Sequence, residues 1–170
     1  ASQSGSWSIG SVNNQLQIKT TAKPADEYVK YGAYQEVDIS GDFDISVEIG
    51  RHDVYRTWHY WGKLRLLDQN DNSIADVMIY DSWAYSSAYK EYLRAYDSDG
   101  AYNSNYNWNT GYVYSYTATR GYRIVREGSE LKIYRDTTSP YGDDWGTPLV
   151  TRSDAAAGRT VKKVILEMCA

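Results

Sequence analysis

Along much of the chain apolar and polar residues alternate, the two-residue rhythm of a strand that buries one face and wets the other. The clearest case is 43–49, where Phe43, Ile45, Val47 and Ile49 share one face and Asp44, Ser46 and Glu48 the other. The same rhythm predicts strands over 16–18, 63–68, 75–80, 91–96, 112–117, 122–127, 130–135 and 161–168. No long segment carries the rhythm of an amphipathic helix, so the pattern predicts an all-β chain. Strands parted by turn-rich loops predict a sandwich or barrel.

The punctuation agrees. In Arg126-Glu127-Gly128-Ser129-Glu130, Gly128 can supply a positive φ for a hairpin between two strand-like runs. Asp68-Gln69-Asn70-Asp71-Asn72 and Asp97-Ser98-Asp99-Gly100 are turn sequences whose side chains bond their own backbone. Lys162 and Lys163 open the last strand and suggest a charge-protected sheet edge. The stretch 101–111, AYNSNYNWNTG, reads as an Asn/Tyr-rich loop, longer than most hairpin connections and therefore a candidate for function.

Composition narrows the choices. A chain of 170 residues suits one domain with a continuous core. Eighteen Lys and Arg against 22 Asp and Glu leave a net charge of −4, with no dense basic run, which argues against nucleic acid as a partner. Apolar runs stop far short of the roughly 20 residues that cross a bilayer, and no charged-then-apolar leader opens the sequence, so no membrane partner is expected. The 25 rings comprise 18 Tyr, 6 Trp and 1 Phe. Phe serves a core as well as Tyr does, so this bias points to rings with one edge in water or on a polar partner, although Tyr and Trp also favour strands. Cys169 is the only cysteine and cannot form an internal disulfide.

Several segments resemble a known family. Trp7-Ser8-Ile9 followed by Leu16-Gln17-Ile18, then Gly41-Asp42-Phe43-Asp44-Ile45-Ser46-Val47-Glu48-Ile49, looks like the start of concanavalin A-like (laminin G-like) jelly-roll modules. Lys63-Leu64-Arg65-Leu66-Leu67-Asp68 resembles their next core strand, and the run from Tyr122 to Tyr134 resembles their RI-R-G-L-Y hairpin. The resemblance implies a two-sheet antiparallel β-sandwich. It also implies an extracellular, secreted or surface-attached bacterial carbohydrate-binding module, appended to a polysaccharide-degrading enzyme or surface protein. These motifs are structural, and fold does not fix function.

Thirteen of the 25 rings fall between Tyr80 and Tyr122. On a strand over 112–117, Tyr112, Tyr114 and Tyr116 would project from one face roughly 6.8 Å apart. On a neighbouring strand Tyr92, Arg94 and Tyr96 share a face opposite Leu93 and Ala95. A sugar presents apolar C–H faces ringed by hydroxyls, so its site needs flat aromatic surface beside guanidinium or amide groups. Arg65, on the polar face of its strand, and Trp83, Tyr85, Asn107 and Trp108 in adjoining loops complete such a set, with Trp58 and Trp61 as a further wall. The same stripes also read as cross-strand packing, each pair worth about 0.2–1 kcal/mol.

A glycosidase needs two carboxylates roughly 5–9.5 Å apart. Asp42 with Asp44, or Asp44 with Glu48, are candidates, but the E-x-D-x-x-E strand of glycosidases resembling this fold is absent, and a solvated strand face accounts for them. His52 and His59 lack a third ligand for zinc. Jelly-roll modules of the kind resembled often hold a structural calcium. Its oxygen-rich candidates are Asp97 and Asp99, then Asp68/Asn70/Asp71 and Asp143/Asp144. The expectation is a monomer that binds a polysaccharide, a β-glucan or other plant cell wall glycan, without chemistry. A laminin G-like protein-binding domain and a glycosidase or lyase are the alternatives.

Overall fold

Alternation along the chain is realised as two stacked antiparallel sheets. The computed structural model describes residues 7–12, 15–20, 30–50, 59–82, 89–97, 99–108, 119–136, 145–153 and 159–169. Their strands are β1 (Trp7–Val12), β2 (Gln15–Thr20), β3 (Lys30–Ile39), β4 (Phe43–Gly50), β5 (His59–Leu67) and β6 (Ser73–Ser82). They continue with β7 (Tyr89–Tyr96), β8 (Tyr102–Trp108), β9 (Thr119–Glu127), β10 (Glu130–Asp136), β11 (Val150–Arg152) and β12 (Val161–Cys169). One sheet has the order β3-β12-β5-β6-β7-β8 and the other β11-β10-β9-β4, while β1 and β2 form a separate hairpin. No helix occurs among the described residues.

The core lies between the sheets. Leu64 and Leu66 of β5, Val77 of β6 and Leu93 of β7 meet Phe43 of β4, Ile124 of β9 and Leu131 and Ile133 of β10. Burying one such aliphatic side chain stabilises by roughly 1.5–3 kcal/mol, and the two-residue period aims every second one inward.

Polar side chains also face inward, and each is bonded there. Arg126 of β9 is 2% exposed, lies over the Phe43 ring at 4.7 Å, and donates to the carbonyls of Gly41, Arg159 and Ile39. It pins the β3–β4 turn and the segment before β12 to the second sheet. Glu91 of β7 accepts from the Tyr122 hydroxyl at 3.1 Å and pairs with Arg135 of β10, a polar bridge between the sheets.

The turns at Asp68 and Asp97 are built alike. Asp68 Oδ1 accepts the N–H groups of Asn70 and Asn72, and Asp97 Oδ1 those of Asp99 and Ala101. Arg159 ties the two together, reaching Asp68 Oδ2 at 2.9 Å and the Asp97 carbonyl at 3.0 Å. Burial pushes the Asp68 carboxyl up, but Arg159 and the two backbone donors outweigh it and hold the group below the usual carboxylate range. The Gly128 hairpin forms as expected, with φ of 59° at Gly128 and Glu127 opposite Glu130.

Three expectations are corrected. The supposed loop at 101–111 is largely strand: residues 102–108 form β8 at the sheet edge, paired along its length with β7. Asn disfavours strands on propensity, and here the ladder to β7 overrides it. Lys162 and Lys163 do not guard an edge, because β12 runs between β3 and β5. Lys162 instead pairs with Asp38 at 2.8 Å and Lys163 with Asp71 at 2.6 Å. The neighbour of β7 on that side is β8 and not 112–117, which lies outside the described residues.

Candidate functional site

Among the rows of opposed residues that cross every strand on the outer face of the six-stranded sheet, one comprises Tyr34, Ile165, Arg65, Asp76, Arg94 and Ser104. At about 4.8 Å per strand the row is about 24 Å long. It exists because these positions have the opposite parity to the core residues Leu64, Leu66, Val77 and Leu93.

At its centre is Asp76, 1% exposed although it sits on the outward side of β6. Its Oδ2 accepts from the Tyr96 hydroxyl at 2.8 Å, with Lys63 Nζ at 3.4 Å and Arg94 Nη1 at 3.9 Å. A carboxylate so enclosed is tolerable only because cations and a donor replace its water. Burial pushes the Tyr96 phenol up to about 12, with Arg94 opposing and Asp76 adding to the shift, so Tyr96 remains a hydrogen-bond donor at neutral pH.

Arg94 is held by rings as well as by charge. Its guanidinium lies 5.1 Å from the Tyr92 centroid and 5.3 Å from that of Tyr102. Tyr102 in turn meets Tyr96 at 5.3 Å with planes inclined at 53°. Burial works against the charge on Arg94, but Tyr96, Asp76 and Tyr102 more than offset it and raise its pKa. The outcome is a platform of three tyrosines and one fixed guanidinium, in which Tyr102 remains 50% exposed. At the far edge Tyr34 is 65% exposed, with Lys163 Nζ 5.6 Å from its centroid.

Of the residues expected at the site, Arg65, Tyr92 and Arg94 come together on this face. Arg65 donates toward Ser73 Oγ at 3.4 Å and lies 3.8 Å from Glu167. Trp61 occupies a β5 position of the same parity as Lys63 and Arg65. Trp108 occupies a β8 position of the same parity as Tyr102. Asn107 and Trp108, expected in a loop, are consecutive positions of strand β8. Trp58, Trp83, Tyr85, Tyr112, Tyr114 and Tyr116 lie outside the described residues.

The patterns in the sequence do not single out Asp76, Tyr102 or Tyr34 as site residues. Asp76 had a signal, a lone charge inside the apolar run Ile74-Ala75-Asp76-Val77-Met78-Ile79. Tyr102 was hidden by reading its segment as a loop.

At the expected calcium turn, Asp97 Oδ1 is taken by the two backbone donors and Oδ2 by Arg152, while Asp99 contributes a backbone N–H. Among the described residues no three His, Cys, Asp or Glu side chains gather into a metal-binding group. Asp143 and Asp144 lie outside the described residues.

The chain superposes with a TM-score of 0.67 on the structure of the CBM2 module of the evolved Dit of Lactobacillus casei BL23 phage J-1. The two share 12% identity, and the match covers 97% of this chain and 72% of that one. A Bacillus licheniformis β-glucanase matches with a TM-score of 0.45 at 11% identity, over 94% of this chain and 62% of that one. No protein-family profile matches the chain, and no curated protein does. At such identity the first likeness speaks to fold alone and agrees with the antiparallel β-sandwich.

Proposed function

We propose that this chain is a non-catalytic carbohydrate-binding module whose ligand lies on the outer face of the six-stranded sheet. The observation that carries the reading is the platform at Arg94, where Tyr92, Tyr96 and the half-exposed Tyr102 surround one guanidinium. Flat rings accept the apolar faces of a sugar while the guanidinium donates to its hydroxyls. Fixing Arg94 beforehand with Asp76 removes part of the ordering cost of binding. Sharing a fold with a CBM2 module supports the same reading.

Binding without chemistry is supported by the state of Asp76 and Glu167 near the centre of this face. Hydrolysis asks for an acid and a base or nucleophile free to exchange protons. Asp76 is enclosed by Lys63, Arg94 and Tyr96, and Glu167 lies beside Arg65. Such a module, appended to an extracellular enzyme or surface protein, would hold its host on a polysaccharide by raising local concentration. Affinity electrophoresis in gels containing soluble polysaccharides tests this. Retardation of the wild type, reduced in Tyr102→Ala and without release of reducing ends, is the expected result. Equal migration in every gel, or reducing-sugar release, overturns the reading.

A further inference from the structure

Two buried polar side-chain atoms among the described residues have no hydrogen-bond partner: Arg65 Nε and Asp76 Oδ1. They belong to residues directly opposite each other on β5 and β6, at the middle of the row across the outer face. One is a donor and the other an acceptor, yet Arg65 turns its guanidinium toward Ser73 and Glu167 while Asp76 directs Oδ2 toward Tyr96, Lys63 and Arg94. Opposed side chains on adjacent strands start about 4.5–5.5 Å apart, so one small group can serve both atoms.

We infer that this pair reads a single free hydroxyl of the glycan, accepting from Arg65 Nε and donating to Asp76 Oδ1, and so selects a neutral sugar at that position. The inference rests on the carbohydrate reading above and deepens it. Leaving a buried donor and acceptor unmet is costly, and a hydroxyl is the side group that offers one lone pair and one proton together. A water molecule can serve the same two atoms in the free protein, and a sugar hydroxyl that reproduces both bonds replaces it at little cost. A uronate carboxylate accepts from Arg65 but has no proton for Asp76, and it would set two anions face to face. Methyl or acetyl caps on the hydroxyl remove the same proton. Lys63, partly exposed at the rim of the pair, is long enough to move aside as the hydroxyl enters, while Arg94 stays in its place on the platform.

The test uses affinity electrophoresis in gels containing mixed-linkage β-glucan, xyloglucan, xylan, mannan or polygalacturonate. Four proteins are compared: the wild type, Arg65→Met, Asp76→Asn and Tyr102→Ala, each with a thermal unfolding curve. Arg65→Met keeps the apolar stem and the fold while removing the donor. The expected result is retardation of the wild type by a neutral polysaccharide, weakened about tenfold or more in Arg65→Met and in Asp76→Asn. If both variants are retarded like the wild type while Tyr102→Ala is not, the platform binds glycan and the hydroxyl-reading pair is refuted. Unfolding temperatures that move while retardation stays put assign the pair a purely structural water and refute it likewise. Retardation by polygalacturonate alone overturns the neutral-sugar assignment and leaves the carbohydrate reading standing. No retardation in any gel overturns both.

Discussion

The two outer faces of the sandwich solve the problem of charge on a strand in opposite ways. On the four-stranded sheet, Asp44 is gripped by both Nε and Nη2 of Arg123 at 2.9 and 2.6 Å, and Lys132 meets Glu127 and Glu130 at 2.8 Å each. These are exposed pairs that satisfy one another in water. On the six-stranded sheet the carboxylate is buried, three cationic or phenolic groups crowd one of its oxygens, and the other oxygen is left unmet. Both faces have alternating sequence and similar residue types. What differs is whether the charges are finished with one another, and the unfinished face is where a ligand gains most by arriving.

The sharpest way to break this comparison is to remove the carboxylate from each face in turn. Asp76→Ala leaves Lys63, Arg94 and Tyr96 facing one another and should cost about 2–4 kcal/mol in urea unfolding. Asp44→Ala should cost less than about 1 kcal/mol, because its pair is exposed. Equal losses would erase the distinction. Next in size is the ring at the platform: Tyr102→Ala should weaken glycan binding about tenfold, about 1.4 kcal/mol. Tyr134→Ala, which removes the ring 5.7 Å from Arg123 on the opposite face, should leave binding unchanged.

Acid provides a smaller contrast. Arg123 holds the Asp44 carboxyl below its ordinary value, and Arg159 with two backbone donors does the same for Asp68 against the pull of burial. Each carboxyl titrates lower folded than unfolded, so the unfolded chain binds more protons in acid. The stability they supply is complete above about pH 5 and is lost as the pH falls below about 4, through the folded values. Arg159→Met should flatten that slope measurably in unfolding curves between about pH 2 and 5. Arg123→Met should flatten it least, since water already screens the exposed pair, and should leave glycan binding untouched.

Much of the sandwich was legible because burial imposes a period. The strand at 43–49 was visible from Phe43, Ile45, Val47 and Ile49 alone, and β4 differs from it by one residue. Strands β1, β3, β8 and β11 escaped the alternation. In β8 the alternation of Tyr102, Tyr106 and Trp108 with three Asn residues is masked by a turn-like, Asn-rich composition, and three-residue β11 is too short to show a period. Such strands form because a neighbour offers a ladder, which no local window contains. The same holds for Lys162 and Lys163, whose charges suggest an edge until β3 is seen to pair beyond them.

The site divides along the same line. Alternation by itself determined that Tyr92, Arg94 and Tyr96 share a face opposite Leu93 and Ala95, since successive side chains on a strand must point to opposite sides. Only the tertiary structure decided that Arg65, Asp76 and Arg94 stand in one row, because strand order and register are set by pairing between segments far apart in the chain. Only it decided, too, that the lone charge of an apolar run lies outward at the centre of that row. A residue's face follows from its own neighbours in sequence, whereas its partners follow from how the sheets close over a common core.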